Sequence, residues 1–399
     1  HNSSAKQNGK TLDRELSANE LLVGNNSDTV PHLSIVMPTL NEETGIRTCI
    51  NWIKTAIEEL QLPAEIIISD SSTDRTPEIA REMGAIVVEP DEPGYGYAYR
   101  YAFERTRGAY IAMGDADATY DFTQIPRLLD HLEETRADMV MGSRLNGEIK
   151  DGAMPALHQY IGNPALTRFL NTFYDAGVSD AHSGFRIFTR EAYESMDWET
   201  TGMEFASEMI MEAGAQNLDI VEVPIVYHER EGEETLESFR DGWRHVRFML
   251  VNAPGYLFSV PGLLLTIFGV AVMIIAHTNA ALGEVTLGVN SMIAGSLATI
   301  VGTQIGSLGV FATVASDPIQ QPDDPLTTGI TTYATLERGA TAGVIVFAAG
   351  GAYASWLVGD WILNGFGAVP FTSAALIAFT GVVVGIQLVF SSFFLSTVN

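Results

Sequence analysis

AYIAMGDAD, residues 109–117, is a short apolar run that ends in two carboxylates, Asp115 and Asp117, one residue apart. The run reads as a buried strand, with the acidic pair at its C-terminal end. Such a pair suits a hard divalent cation, Mg²⁺ or Mn²⁺, that also holds a substrate diphosphate.

The flanking sequence repeats the pattern. LSIVMP (33–38), EIIISD (65–70), AIVVEP (85–90) and DMVMGSR (138–144) read as further strands. Helical spacing fills 41–60, 76–83, 97–107 and 125–135 between them. Strands alternating with helices predict an α/β fold, a mostly parallel, Rossmann-like sheet with helices on both faces. Ligands of such sheets bind outside the carboxyl ends of the strands. The polar signatures fall there: 38–43 after the first strand, 70–74 after the second, Asp115 and Asp117 after the fourth, and Arg144 after the fifth.

Charge divides the chain. Its 399 residues include 49 acidic and 22 basic ones, a net charge of −27. Residues 253–399 hold one basic residue, Arg338, and six acidic ones, which leaves −22 on residues 1–252. So acidic a domain argues against nucleic acid as a partner. The excess of acid with few lysines fits a halophilic source, where charge keeps proteins soluble at high salt. The single Cys49 excludes an internal disulfide and agrees with a reducing compartment. Residues 1–30 are polar and rich in Asn and Ser, and read as a flexible tail with no signal peptide. A first residue that is His rather than Met points to a processed end or an expression scar.

Four apolar stretches follow, at about 255–276, 289–315, 340–363 and 370–394. Each is near the roughly 20 residues that span a bilayer, so residues 254–399 are expected to form a four-helix transmembrane domain. Arg244 and Arg247 precede the first stretch and Arg338 the third, whereas the links at 277–288 and 364–369 carry no Lys or Arg. The positive-inside rule then puts the acidic domain on the cytoplasmic side. Asp360, at the end of its span, is expected at the external interface. In residues 233–253, Leu236, Phe239, Trp243, Val246 and Leu250 fall on one helical face beside Arg240, Arg244 and Arg247, an interfacial helix leading into the first span. Residues 161–174 carry a similar stripe, Ile161, Leu166, Phe169, Leu170 and Phe173, beside Arg168; this helix faces either the interface or the core.

MPTLNEE (37–43), SDSSTDRT (69–76), GYGYAYRYAF (94–103), GDADATY (114–120), GSR (142–144) and DAHSGFRIF (180–188) together resemble glycosyltransferase family 2, in its polyprenyl-phosphate (dolichol-phosphate mannose synthase-like) branch. The resemblance covers about residues 33–230 and implies a GT-A catalytic domain over 31–232. It implies that Pro38, Glu42 and Asp70 line the donor nucleoside site, and that Asp115 and Asp117 handle the metal and the diphosphate. It places Arg144 and Arg186 near the acceptor phosphate and the diphosphate, and Arg230 on the donor phosphates. His158 stands where some relatives carry a second acceptor-phosphate Arg, and Arg168 lies on the same side. Asp180, a further catalytic candidate, either stands behind the residues that touch substrate or lies on the acceptor side, the alternative being a helix cap or turn residue; His182 reads as a satisfied surface histidine. The chain departs from the family pattern at Thr119, where Gln is frequent, at Tyr95, where Lys is frequent, and at 230–236, where REGEETL replaces R-G-x-S-K-L.

The implied activity is inverting transfer of one hexose from a nucleotide-sugar, UDP-glucose or GDP-mannose, to dolichyl or polyprenyl phosphate at the cytoplasmic face of the bilayer. Two other readings compete. A processive polysaccharide synthase would carry Q-x-x-R-W before a span, but FRDGWRH (239–245) has Trp243 before Arg244 and no Gln. A scaffold or flippase with a degenerate domain would not need the intact Asp115–Asp117 pair.

Overall fold

The computed structural model describes residues 15–174, 176–231, 238–279, 281–282, 285–315, 329, 336–366 and 372–398. The chain forms two compact units, His1–Val246 and Arg247–Asn399.

The first unit is a seven-stranded sheet with helices. In chain order it contains α1 (Ala18–Leu21), β1 (Leu33–Thr39), α2 (Ile46–Leu60), β2 (Ala64–Asp70), α3 (Thr76–Glu82), β3 (Ile86–Val88) and α4 (Tyr95–Phe103). There follow β4 (Tyr110–Met113), α5 (Ile125–Thr135), β5 (Met139–Ile149), α6 (Asn163–Tyr174), β6 (Arg186–Thr189), α7 (Arg190–Ser195), α8 (Phe205–Ala215) and β7 (Ile220–Tyr227). The strand order is β3-β2-β1-β4-β6-β5-β7. Six strands run parallel and β6 runs against its neighbours β4 and β5. The mostly parallel sheet was expected; the reversed strand was not. The chain before β6 arrives at the carboxyl edge, so the strand can only descend from it, and Arg186 pairs with Met113 at that edge.

Every residue of β2 and nearly all of β1 are buried, as strands covered on both faces must be. Helix α2 turns Ile46, Cys49, Ile50, Ile53 and Ile57 onto the sheet, and α5 adds Ile125, Leu128, Leu129 and Leu132. Each such fully buried aliphatic side chain contributes roughly 1.5–3 kcal/mol.

Three boundaries differ from expectation. α2 begins at Ile46 rather than 41, because Asn41, with φ +60°, turns the chain first. α4 begins at Tyr95, where Gly94 at φ +137° packs against the Thr201 carbonyl, and ends at Phe103, whose carbonyl accepts from Thr106 Oγ1 at 2.6 Å. The expected tail gives way within its own length. Leu21 and Val23 are buried, and Val23 N donates to the Ala64 carbonyl, so residues 17–23 pack along α2 and β2. Residues 1–14 lie outside the described residues.

Helix α9 (Ser238–Val251) runs across the division between the units. Trp243 and Arg244 are exposed on it, while His245 and Met249 are buried. The expected stripe is therefore open at Trp243 and half-buried at Val246 and Leu250. Leu236 lies outside the described residues, as do Glu234 and Thr235 of the departing donor loop.

The second unit contains α10 (Val260–Thr278), α11 (Val289–Ala315), α12 (Leu336–Leu363) and α13 (Thr372–Val398). Four segments are long and apolar enough to cross a membrane: Gly255–Thr278, Val289–Thr313, Glu337–Leu363 and Ser373–Ser396. Large apolar side chains such as Leu264, Phe268, Ile345 and Phe390 are exposed on them, as lipid-facing residues are. Gly269 and Gly295 meet with no room for a Cβ on either, which brings α10 and α11 close. Ser296 and Thr380 hydroxyls bond at 2.6 Å between α11 and α13.

Candidate active site

Four loops meet at the carboxyl edge of β1, β2 and β4. The first two are stitched together. Asn41 N donates to Ser72 Oγ at 2.8 Å, Thr73 N to Asn41 Oδ1 at 2.9 Å, and Glu42 N to Thr76 Oγ1 at 3.0 Å. Asp70, at the end of β2, accepts from Thr39 Oγ1 at 2.6 Å and from Ser72 N at 3.3 Å. Pro38 lies beside it in the register, opposite Ser69.

The acidic turn follows β4. Ala118, with φ +61°, bends it back, an unusual conformation for a residue with a Cβ. Gly45 lets the turn lie on the start of α2: a Cβ there would stand 2.8 Å from the Ala116 carbonyl. Asp115 Oδ1 accepts from Tyr95 Oη at 2.8 Å, and Tyr99 Oη lies 3.4 Å from the same atom. Asp117 Oδ1 accepts from Thr119 N at 3.1 Å and from Thr119 Oγ1 at 2.5 Å. Thr119 thus orients Asp117 where relatives often have Gln.

The segment after β7 closes over this turn. Tyr227 bridges to Tyr120, His228 N donates to the Thr119 carbonyl at 2.8 Å, and Glu231 N to the Asp117 carbonyl at 2.9 Å. Arg230 is carried to the acidic cluster, with Nη2 at 2.6 Å from Glu42 Oε1 and Nη1 at 3.5 Å from Asp117 Oδ2. Burial raises the Glu42 carboxyl to about 7; Arg230 opposes the shift, and Asp117 and Asp115 add to it. Burial and then Asp117 push Asp115 up to about 6. Three carboxylates thus share one arginine, a shortage of positive charge that a divalent ion would relieve. The oxygens of Asp115 and Asp117 fit a hard cation. Among the described residues no cluster of three or more His, Cys, Asp or Glu is arranged to hold a metal ion. Two protein carboxylates suit Mg²⁺ or Mn²⁺, which commonly complete their shells with water and substrate oxygens.

On the other side of the turn, Arg144 and Asp180 form a buried two-pronged pair. Arg144 Nε and Nη2 each lie 2.8 Å from the carboxylate, and Arg144 N donates to it at 2.9 Å. Burial works to raise the Asp180 carboxyl, but the Arg144 charge and its bonds outweigh it and hold the group below the usual range. Glu222 accepts from the backbone of Ser179 and Asp180 at 2.8 and 3.1 Å, which straps this loop to β7. Arg186 is fully buried and donates to the carbonyls of Ser183, Ala181 and Ala206.

Residues 34–196 match Glycosyl transferase family 2, and residues 310–399 match the Glycosyltransferase family 2 C-terminal transmembrane region. Over 393 residues the chain is 57% identical to the low-salt glycan biosynthesis hexosyltransferase Agl6 of Haloferax volcanii, spanning 98% of this chain and 95% of that protein. The chain belongs to glycosyltransferase family 2. A further relative, the dolichyl-phosphate hexose transferase of Haloferax volcanii, is 35% identical over 215 residues, 54% of this chain and 90% of that protein. Among solved structures, glucosyl-3-phosphoglycerate synthase from Mycobacterium tuberculosis in complex with Mn²⁺ and UDP-glucose shares 22% identity. It aligns over 59% of this chain and 82% of its own, with a TM-score of 0.45. The sheet is the GT-A catalytic fold of this family, and the family 2 glycosyltransferase is a multi-pass membrane protein.

The glycosyltransferase carries Pro38, Glu42, Asp70, Asp115, Asp117 and Arg230 at the carboxyl edge of the sheet, with Arg230 joined to Glu42 and Asp117. The surroundings of the others are as follows. The described partners of Asp180 and Arg186 are protein groups: Asp180 holds Arg144, and Arg186 props the 181–186 loop from beneath. His158 is half-buried in a turn before α6 and Arg168 is exposed on α6. Arg168 lines an open groove of about 400 Å³ with Thr167, Asn171, Thr172 and Ser179. Tyr99, Glu222, Ser207 and His245 were missed; of these only Tyr99 had a sequence signal, its spacing of four from Tyr95 on one helix.

His182 is half-buried and satisfied at Nε2 by a neighbouring hydroxyl. Its Nε2 lies 3.2 Å from Ser207 Oγ, which in turn lies 2.9 Å from His245 Nδ1, and the two rings meet edge-on at 4.8 Å. The 180–188 segment packs against α8 and α9, which cover part of the ring. Burial first, and His245 next, hold His182 well below the usual imidazole value. A depressed histidine contributes stability that is present above the unfolded value of about 6.5 and lost as pH falls through the folded one. The melting temperature is expected to drop between pH 7 and pH 5, and His182→Gln to flatten that drop. Parallel pH profiles for the two proteins would contradict this.

Proposed function

We propose that the protein transfers a single hexose from a nucleotide-sugar, UDP-glucose or GDP-mannose, to dolichyl phosphate at the cytoplasmic membrane face, with inversion at the anomeric carbon. The observation that carries this reading is the meeting of Asp115, Asp117, Glu42 and Arg230 at the carboxyl edge of the sheet, in a chain with four membrane-length helices. The hexosyltransferase named among the relatives supports the sugar class, and the dolichyl-phosphate hexose transferase supports the acceptor.

The chemistry asks little of the protein beyond placement. A phosphate monoester with a second pKa near 6 is largely dianionic at pH 7, so it attacks without a strong general base. A cation on Asp115 and Asp117, Mg²⁺ or Mn²⁺, would neutralise and orient the leaving diphosphate. Glu42 and Asp70 bind the nucleoside, and Arg230 moves its charge from Glu42 and Asp117 toward the donor phosphates. Arg144, oriented by Asp180, takes the acceptor phosphate, with His158 and Arg168 along its approach.

The test uses protein purified in detergent at high salt, with dolichyl phosphate, Mn²⁺ and one radiolabelled donor per tube: UDP-glucose, GDP-mannose or UDP-N-acetylglucosamine. One donor is expected to yield an organic-soluble, mild-acid-labile product, and EDTA to abolish it. No lipid product from any donor would overturn the assignment.

A further inference from the structure

Asp115 presents two oxygens, and the protein uses one of them. Tyr95 and Tyr99 both aim their hydroxyls at Oδ1, at 2.8 and 3.4 Å. Among the described residues no hydrogen bond reaches Oδ2. The backbone of Gly184 passes beside that second oxygen: a Cβ there would stand 3.4 Å from Oδ2 and 3.4 Å from Tyr95 Oη. Glycine keeps the flank of Oδ2 clear.

The tyrosines are held by packing, so the carboxylate cannot drag them. They lie one turn apart on α4, with rings edge to face at 5.1 Å. Tyr99 is fully buried, stacked on Phe103 at 5.5 Å and Phe205 at 5.7 Å. The start of α4 is pinned, since Gly96 N donates to the Thr201 carbonyl at 3.0 Å.

We propose that Tyr95 is a positioning residue for the cation: it engages Oδ1 of Asp115 and so presents Oδ2 as the metal-facing atom. The inference rests on the reading of Asp115 and Asp117 as cation ligands. A carboxylate held by one oxygen loses its freedom to rotate, so less order has to be imposed when the ion arrives. A neutral phenol does this without a competing positive charge, as an ammonium at the same place would bring. A phenol is protonated at neutral pH, so the Tyr95 hydroxyl is a donor.

The experiment titrates Mn²⁺ alone into the full-length protein in detergent, without donor or acceptor, and reads free Mn²⁺ by electron paramagnetic resonance. Tyr95→Phe keeps the ring and its contact with Tyr99. It is expected to weaken Mn²⁺ binding about 10-fold, the lower end for partners that stand behind metal ligands. Tyr99→Phe, at the longer distance, is expected to weaken it less than about 3-fold. Equal Mn²⁺ affinity in Tyr95→Phe and the unaltered protein would overturn the inference and leave the cation reading standing. No Mn²⁺ binding by the unaltered protein, either alone or with UDP or GDP added, would overturn the cation reading, and the inference with it. Should Tyr95→Phe fail to fold, 3-fluorotyrosine at position 95 keeps the hydroxyl. Its ¹⁹F resonance is expected to move when Mg²⁺ is added, and an unmoved resonance would overturn the inference.

Discussion

Asp117→Asn is expected to lower sugar transfer by about 10³-fold, the scale of losing one group that stabilises developing charge. The fold should survive. Asn keeps an oxygen for Thr119 N and Thr119 Oγ1, which hold Asp117 Oδ1 at 3.1 and 2.5 Å. What disappears is the negative charge on the oxygen that faces Arg230 at 3.5 Å and, by the proposed chemistry, the cation. The measurement is label transfer at saturating donor, beside a melting curve. The melting temperature should change by no more than a few degrees while Mn²⁺ binding is lost. Unimpaired turnover would remove Asp117 from the mechanism, and would favour a family 2 domain kept as a scaffold.

Arg144→Ala should be the most destabilising single change at the site. Asp180 is fully buried, and the guanidinium supplies two of its three bonds and its only described ion pair. Breaking a buried pair from one side leaves the other charge without compensation and costs about 3–5 kcal/mol. For a domain of this size each kcal/mol moves the melting temperature by roughly 2–4 °C, so a fall of about 10 °C is expected. Replacing both residues with Leu removes the stranded charge as well, and should recover much of the lost stability without recovering activity. If the single variant melts with the unaltered protein, the pair does not anchor this loop. The loop matters because its backbone at Ser179 and Asp180 is strapped to Glu222 and its far end starts β6.

The two variants probe opposite kinds of legibility. Asp117 was visible as a site residue because it follows a strand, and a parallel sheet collects its strand ends at one edge. Pro38, Glu42 and Asp70 were visible for the same reason. The partnership of Arg144 with Asp180 was not, although both residues were singled out: 36 residues and the whole of helix α6 separate them. The setting of Arg186 was not legible either: a motif says that an arginine is present, whereas the direction of its guanidinium depends on which carbonyls the loop turns inward. The partners of His182 were not legible, because nothing near it in sequence announces Ser207 and His245, from two other helices.

The amino-acid sequence by itself determined the strand-helix alternation, the location of the acidic pair at a strand end, the family and the four membrane-length helices. The family follows from the ordered motifs; the rest follows from short-range periodicity, which depends on which face of each element must leave water. Only the tertiary structure decided that β6 runs backwards, that Arg230 reaches Glu42 across 188 residues, and that two tyrosines hold one oxygen of Asp115. Buried polar groups must find partners wherever packing brings them, and that choice is made by distance in space, which local pattern does not encode.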